Sequence, residues 1–462
     1  MATAIETQKG HPKGLYILFF TELWERFSFY GMRALFTLFL VAKTTSRNPG
    51  FGWSNANAIA LYGWYTMLVY VASVPGGILA DRFIGQKKTV MLGGFLLCLG
   101  HGILSMQAPW AFYVGCLFII LGVGGLKPNI STMVGGLYKP GDERRDKGFY
   151  IFYIGINIGG FIAPILCGFI GETINWHLGF GLAAIGMLIG QIVFIWGQKY
   201  LKGIGDYIGK NEDTASKELL KKPLTKVEKD RVLVLFLSFL IIIVFWGAFE
   251  QAGGLLNLYA EQHTNRMIGH FQIPASVFQS VNSFFIFTLA TTVAAFWAKR
   301  KMKGKEASSI FKMAIGVIIL GFSFIFMSMA AVQTREIGKS GMYWLILFYL
   351  FQTIGELCAS PVSLSYITKL APVKYASFMM GAYWAATGLG EKFASIVGEW
   401  ASTAGDFKVF TGLAIFCAVF GLLVLLILKP LKRLAHGAED LQMESEGPIS
   451  EQDLEMAPSP TN

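Results

Sequence analysis

Apolar positions in this chain fall into long blocks, each broken by a short polar stretch. A helix that crosses a bilayer needs about 20 mostly apolar residues. Blocks of that order occupy 14–41, 55–80, 88–107, 110–134, 148–170, 176–200, 232–259, 274–298, 308–333, 342–370, 374–402 and 407–429. The pattern predicts twelve membrane-spanning helices, helix 1 to helix 12 in chain order. Several exceed the minimum, so tilt or extension past the bilayer is expected. The lysine-rich polar stretch 201–231 divides them six and six. It is the expected linker between a bundle at 14–200 and a bundle at 232–429. A short polar segment, 1–13, precedes the first helix. Residues 430–462 form a tail, acidic from about residue 436, with Glu439, Asp440, Glu444, Glu446, Glu451, Asp453 and Glu455. Such a tail is expected to be disordered.

Composition agrees with the pattern. The 462 residues are 54% hydrophobic and 15% charged, with a mean hydropathy of +0.52. Ordinary soluble domains carry roughly 25% charged residues. A secreted disulfide scaffold, a disordered chain and a typical cytosolic enzyme are excluded, and the fold class is all-α polytopic membrane protein. Cys98, Cys116, Cys167, Cys358 and Cys417 all lie in apolar blocks and read as small buried hydrophobes. The N-terminal region lacks the small-residue cleavage site of a signal peptide.

The net charge of +10 changes the picture only through its distribution. The N-terminal segment, the loops after even-numbered helices and the C-terminal segment hold roughly 28 Lys and Arg, against about 6 in the opposite loops. The positive-inside rule then places both termini in the cytoplasm. The basic charge is a topology signal and implies no nucleic-acid partner.

Ionisable groups inside a bilayer cost about 2.5–3.5 kcal/mol each on insertion scales, so they persist where they pair, line water or move protons. Helix 1 carries Glu22, Glu25, Arg26, Tyr30 and Arg33, and the spacing puts Glu22, Arg26, Tyr30 and Arg33 on one face. Helix 2 ends in Gly76-Gly77-Ile78-Leu79-Ala80-Asp81-Arg82, where glycines permit close helix approach. Lys127 on helix 4 precedes Pro128, which is expected to kink the helix and free backbone carbonyls. Asn157 sits on helix 5, Glu250 on helix 7 after Trp246, Asn282 on helix 8, and Glu356 on helix 10 ahead of Ser360-Pro361. Glu391-Lys392 on helix 11 reads as a structural pair of neighbours. No Walker A, His-Glu-x-x-His or Gly-x-Ser-x-Gly sequence is present, so no enzyme, catalytic residue, metal or cofactor is expected. A channel would need a filter, and none is legible.

Glu22-x-x-Glu25-Arg26, Phe152-Tyr153-x-x-Ile156-Asn157-x-Gly159, Phe249-Glu250-Gln251 and Glu356-Leu357-x-x-Ser360-Pro361 together resemble the proton-coupled oligopeptide transporter family, within the major facilitator superfamily. The resemblance runs over the chain except its tails. It implies a major facilitator fold in two six-helix bundles. Many bacterial members carry two extra helices between the halves, which the polar 201–231 stretch cannot supply, so a twelve-helix variant is expected. It implies proton coupling through Glu22, Glu25, Arg26 and Glu250. It implies gate pairs Arg33–Glu250 on the outer side and Lys127–Glu356 on the inner side. Arg33 and Lys127 would attract a peptide carboxylate, and Glu356 with Asn157 and Asn282 would hold the amine. Tyr30, Tyr70, Trp246, Ser360 and Tyr383 would complete the pocket, with Tyr383 standing where the family often has Trp and Trp384 following it. The implied activity is proton-driven import of di- and tripeptides across the cytoplasmic (inner) membrane by a monomer embedded in the lipid bilayer. The alternative is the same fold carrying nitrate, a sugar or a drug.

Overall fold

The computed structural model describes residues 10–138, 142, 144–206, 223–372 and 376–438. The acidic stretch from 439 onward, residues 207–222 of the linker and the start of helix 11 at 374 lie outside them. Among the described residues, helices of spanning length follow one another along the chain. They are α1 (Lys13–Val41), α2 (Asn55–Ile84), α3 (Gln86–Leu104), α4 (Pro109–Gly136), α5 (Arg144–Thr173) and α6 (Trp176–Tyr200). The second set is α7 (Lys226–His263), α8 (Ala275–Met302), α9 (Ser309–Ile337), α10 (Met342–Leu370), α11 (Ala376–Ala404) and α12 (Asp406–Leu426). A short helix, α13 (Leu428–Leu434), ends the described chain. The fold is an all-α membrane protein with twelve spanning helices, as the blocks predict.

Ten of the twelve are long and apolar enough to cross a membrane by length and composition alone. The other two are α1 and α11, 29 residues each, which are the helices with charged stripes. The molecule is apolar outside and polar within. Trp196 and Leu426 are 77% exposed, and Phe95, Leu117, Leu188, Leu240 and Leu422 also face outward, while Glu22, Glu25, Arg26, Glu250 and Glu391 are buried. A protein surrounded by water would bury the first group and solvate the second.

Capping sets several helix limits. Ser54 accepts from the Asn57 N–H ahead of α2, and Asn175 accepts from the N–H groups of His177 and Leu178 ahead of α6. Thr225 and Glu228 form a capping box that starts α7 at Lys226, six residues before the apolar block at 232. A hydropathy reading misses that polar first turn. Gly85, between α2 and α3, has φ +83°, which a side chain would strain.

In the first half, α1 packs on α5 and α6, and α3 packs on α4 and α6. In the second half, α9 packs on α10 and α12, α7 on α11, and α8 on α10. Two seams join the halves, α2 with α11 and α5 with α8. Small residues let these surfaces meet: a Cβ on Gly63 of α2 would lie 2.0 Å from the Ser395 Cβ on α11. Gly159, in the helix 5 motif, has the same role against α1, where a Cβ would meet the Leu23 carbonyl oxygen at 2.5 Å.

Residues 430–438, at the start of the expected tail, dock on the second half. Lys432 Nζ donates to Glu306 Oε2 at 2.7 Å, the His436 ring meets Asp230 at 2.7 Å, and Arg231 Nε donates to the Ala435 carbonyl at 3.2 Å. The apolar block ends at 429, but Leu431, Ala435 and Ala438 are buried, so docking continues past it.

Partial burial acts to raise the Glu306 carboxyl, but hydrogen bonds from Lys432 and Ser308 outweigh it and hold the group down to about 2. The native carboxyl lies below its ordinary 4.5, so its contribution is complete above that value and fades as pH falls toward 2. Protection of 428–434 in hydrogen exchange, corrected for intrinsic rates and read in a His436→Gln background that removes the contact with Asp230, is therefore equal at pH 7.5 and pH 5. Lys432→Ala raises exchange there by about two- to fivefold, as expected for a half-exposed pair.

Candidate functional site

The charged stripe of α1 folds into one compact ion cluster. Arg26 forks onto Glu25, Nη2 reaching Oε1 at 2.7 Å and Nε donating to Oε2, while the same Nε lies 3.3 Å from Glu22 Oε1. All three side chains are buried. One cation thus serves two acids, and Glu22 Oε2 has no hydrogen-bond partner. The guanidinium also lies 5.1 Å from the Phe29 ring and 6.0 Å from the Tyr30 ring.

Two turns further along α1, Arg33 Nη2 donates to Glu250 Oε2 on α7. This is an ion pair between the halves. It forms where α7 passes through a 3-10 turn at Glu250–Ala252, which aims the carboxylate across the seam. More contacts between the halves surround it. Asn257 Nδ2 donates to the Ala34 carbonyl at 2.9 Å and Thr37 Oγ1 to the Gly253 carbonyl at 3.3 Å. Asn55 and Gln262 exchange amide hydrogen bonds at 2.9 and 3.0 Å. Glu172 of α5 accepts from the backbone of Ala275 and Ser276 at 2.8 Å each, and lies 3.7 Å from Arg266. All these contacts lie toward the face opposite the termini, and they hold the halves together there. Sequence reasoning did not single out Glu172 or Arg266, because each stands near a helix end where a charge is ordinary.

Lys127 and Glu356 are not joined in this state. Lys127 Nζ lies 4.0 Å from the Tyr70 ring centre and 5.0 Å from that of Trp384. Those two rings stack at 5.9 Å and 19°. Glu356 instead accepts from Asn282 Nδ2 at 2.8 Å, and the same amide nitrogen is 3.0 Å from Thr353 Oγ1. The ammonium is held by aromatic faces and the acid by an amide, so each charge is covered and still available. Pro128 sits inside α4. It supplies no N–H to the Gly124 carbonyl, and that oxygen packs against Gly76 of α2.

Asn157 Nδ2 donates to the Tyr153 carbonyl at 3.0 Å. Trp246 packs against Phe249 at 5.1 Å, and with Ser360 and Ser363 it lines a small cavity. Tyr383 is buried with its hydroxyl 3.4 Å from Ser363 Oγ, so it is the adjacent Trp384 that faces Lys127. The neighbours Glu391 and Lys392 do not pair. Lys392 Nζ reaches Ser395 Oγ at 3.0 Å and Glu399 Oε1 at 3.5 Å, and lies 4.9 Å from the Trp64 ring centre. Adjacent helical residues differ by about 100° in direction, so Glu391 and Lys392 take different faces of α11.

Chemically, the first half brings two cations, Arg33 and Lys127, to the space between the halves, and the second brings two acids, Glu250 and Glu356. Such a site is complementary to a small zwitterion. No group of three or more His, Cys, Asp or Glu side chains placed to hold a metal occurs among the described residues.

A family model described as the POT family matches residues 87–228 and 208–409. The chain is 33% identical to a peptide transporter of Yersinia enterocolitica, covering 94% of this chain and 97% of that one. It is 34% identical to a di-/tripeptide transporter of Lactococcus lactis subsp. cremoris, covering 92% and 97%. A crystal structure of a peptide transporter POT in complex with alafosfalin superposes with a TM-score of 0.84 at 33% identity, covering 92% and 96%.

The α1 cluster gives a direct test. Removing one partner of a buried pair costs about 3–5 kcal/mol. Arg26→Ala leaves two adjacent buried acids without their cation. Its Tm in detergent, followed by tryptophan fluorescence, falls by about 5 °C or more. Lys392→Ala, whose partner Glu399 is partly exposed, moves it by less than about 2 °C.

Proposed function

The chain belongs to the POT family, and from that premise we propose that it imports di- and tripeptides with protons across the cytoplasmic membrane by alternating access. The observation that carries this reading is the Arg33–Glu250 ion pair between the halves, beside a second cation and a second acid that are not engaged with each other.

A di- or tripeptide at neutral pH carries an ammonium and a carboxylate separated by a few residues of extended chain. Arg33 and Lys127 take the carboxylate end. Glu356, set by Asn282 and joined by Asn157, takes the amine. Tyr30, Tyr70, Trp246 and Trp384 flank the chain between, with Ser360 and Tyr383 in the wall behind. Recognition of both termini leaves the side chains to roomy aromatic surroundings, which favours length selectivity over sequence selectivity.

With the termini cytoplasmic, the face held by Arg33–Glu250, Asn55–Gln262 and Glu172 is the external one, and this state faces inward. The bundles at 14–200 and 232–429 rock as units around the central site. A proton from outside neutralises Glu250 and releases Arg33 to the peptide carboxylate. Peptide arriving with it favours closure. On the inner side, peptide competes with the Lys127–Glu356 contact and opens the exit. Glu22 and Glu25 hold the proton in transit, with Arg26 as their counter-charge. An inside-negative potential contributes about 2.3 kcal/mol per proton per 100 mV.

The test is uptake of labelled dialanine into liposomes that contain the pure protein, under an inward proton gradient. Accumulation above equilibrium that an uncoupler abolishes, and that tripeptide but not free alanine competes, is the expected result. Absence of uptake by folded protein, with uptake of nitrate or glucose instead, transfers the assignment to that solute. Glu250→Gln is expected to lose concentrative uptake and keep counterflow exchange; full concentrative uptake by this variant removes Glu250 from the coupling path.

A further inference from the structure

Glu391 on α11 is an acid for which the transport scheme above has no role. It is 3% exposed, and its Oε2 has no hydrogen-bond partner. Its neighbour Lys392 points elsewhere, to Ser395, Glu399 and Trp64. Glu391 lies in the seam of α2 with α11. The groups that act on it come from each element around it: Glu250 on α7, Arg33 on α1, Lys127 on α4, and Thr66, Tyr62 and Tyr70 on α2. Both nearby cations are engaged, Arg33 by Glu250 and Lys127 by the rings of Tyr70 and Trp384. The seam itself is tight, since Gly63 of α2 lies against Ser395, one turn beyond Glu391 on α11.

We propose that Glu391 is a further proton-coupling residue, whose protonation from the external side is required for the seam of α2 with α11 to close. Burying an ionised carboxylate that has no cation of its own costs several kcal/mol even after relaxation. A second acid, Glu250, acts on it and itself holds the Arg33 guanidinium. Closure of the external face brings Thr66, Tyr62 and Gly63 over α11 and excludes water from Glu391. A charged Glu391 opposes that step and a neutral one permits it. The proton comes from external water to the carboxylate. It leaves to internal water when Lys127 or Arg33 comes free in a later state and the acid ionises against it. Glu391 therefore adds one proton to the cycle, separate from the one that releases Arg33 from Glu250.

This inference rests on proton-driven transport, so the wild-type liposome assay is run first. Failure there sinks the parent reading and is distinguishable from failure of this one. The proton-to-peptide ratio is then read from the membrane potential at which net dialanine flux reverses. Glu391→Gln is expected to lower the ratio by one, and Glu391→Asp to keep it. In parallel, spin labels at Arg47 and Ile268, exposed on either half at the external face, report closure in a cysteine-free background that still transports. At pH 7.5, where Glu250 stays charged and paired with Arg33, Glu391→Gln shows a larger share of the short distance than wild type. Glu391→Ala replaces Glu391→Gln if the amide variant does not fold. An unchanged ratio, or an unchanged share of the short distance at pH 7.5, in the neutral variant overturns the proposal.

Discussion

Charge has to be neutralised inside a bilayer, and the ion pair between Arg33 and Glu250 does this across the boundary between two bundles. Each partner alone would be a buried ion in a low-dielectric interior, which neither half can sustain. The halves therefore meet where these side chains meet. The amide exchange of Asn55 with Gln262, and the backbone donors gathered by Glu172, reinforce the contact from either side. An interface held by polar contacts differs from a hydrophobic core in one useful respect. A ligand or a proton that offers either partner a substitute can undo it, so the same interaction that closes the molecule makes the closure reversible.

The ion cluster of α1 obeys the same constraint within a single helix. Two acids share Arg26, leaving one carboxylate oxygen of Glu22 without a partner. Lys127 meets the constraint differently, with π faces in place of an anion. Aromatic rings soften the cost of an ammonium without neutralising it. The cation thus remains able to bind a carboxylate that arrives later. A permanent salt bridge at that position would stabilise the chain and remove a binding group.

The twelve helices were legible because a bilayer imposes a length and a polarity that soluble cores do not, and the blocks show both. The chemistry of α1, α7 and α10 was legible because Glu25-Arg26, Glu250 and Glu356 are conspicuous in apolar surroundings. Direction around a helix was harder to read. Tyr383 and Trp384 are adjacent, as are Glu391 and Lys392, and nothing in an apolar sequence says which of two neighbours faces the centre. Partner choice between helices was also out of reach. That Glu356 rests on Asn282 while Lys127 rests on Tyr70 and Trp384 belongs to one state of a moving molecule, whereas a sequence is common to all its states. Polar first turns and docked ends, such as those at Lys226 and Leu431, fall outside any hydropathy rule.

The two ends of the described chain are tied to different bundles. Near the start, His11 Nδ1 lies 2.9 Å from the Tyr138 hydroxyl, and the Gly10 carbonyl accepts from Arg144 Nη1 at 2.7 Å, all within the first half. At the other end, α13 and the residues after it hold Asp230, Arg231 and Glu306, all in the second half. Residues 10–11 and 428–438 are thus handles on one bundle each, and both lie on the same face. A pair of fluorophores attached at Gly10 and Leu434 would follow the angle between the bundles, turning the chain into its own gauge of rocking with the central site untouched.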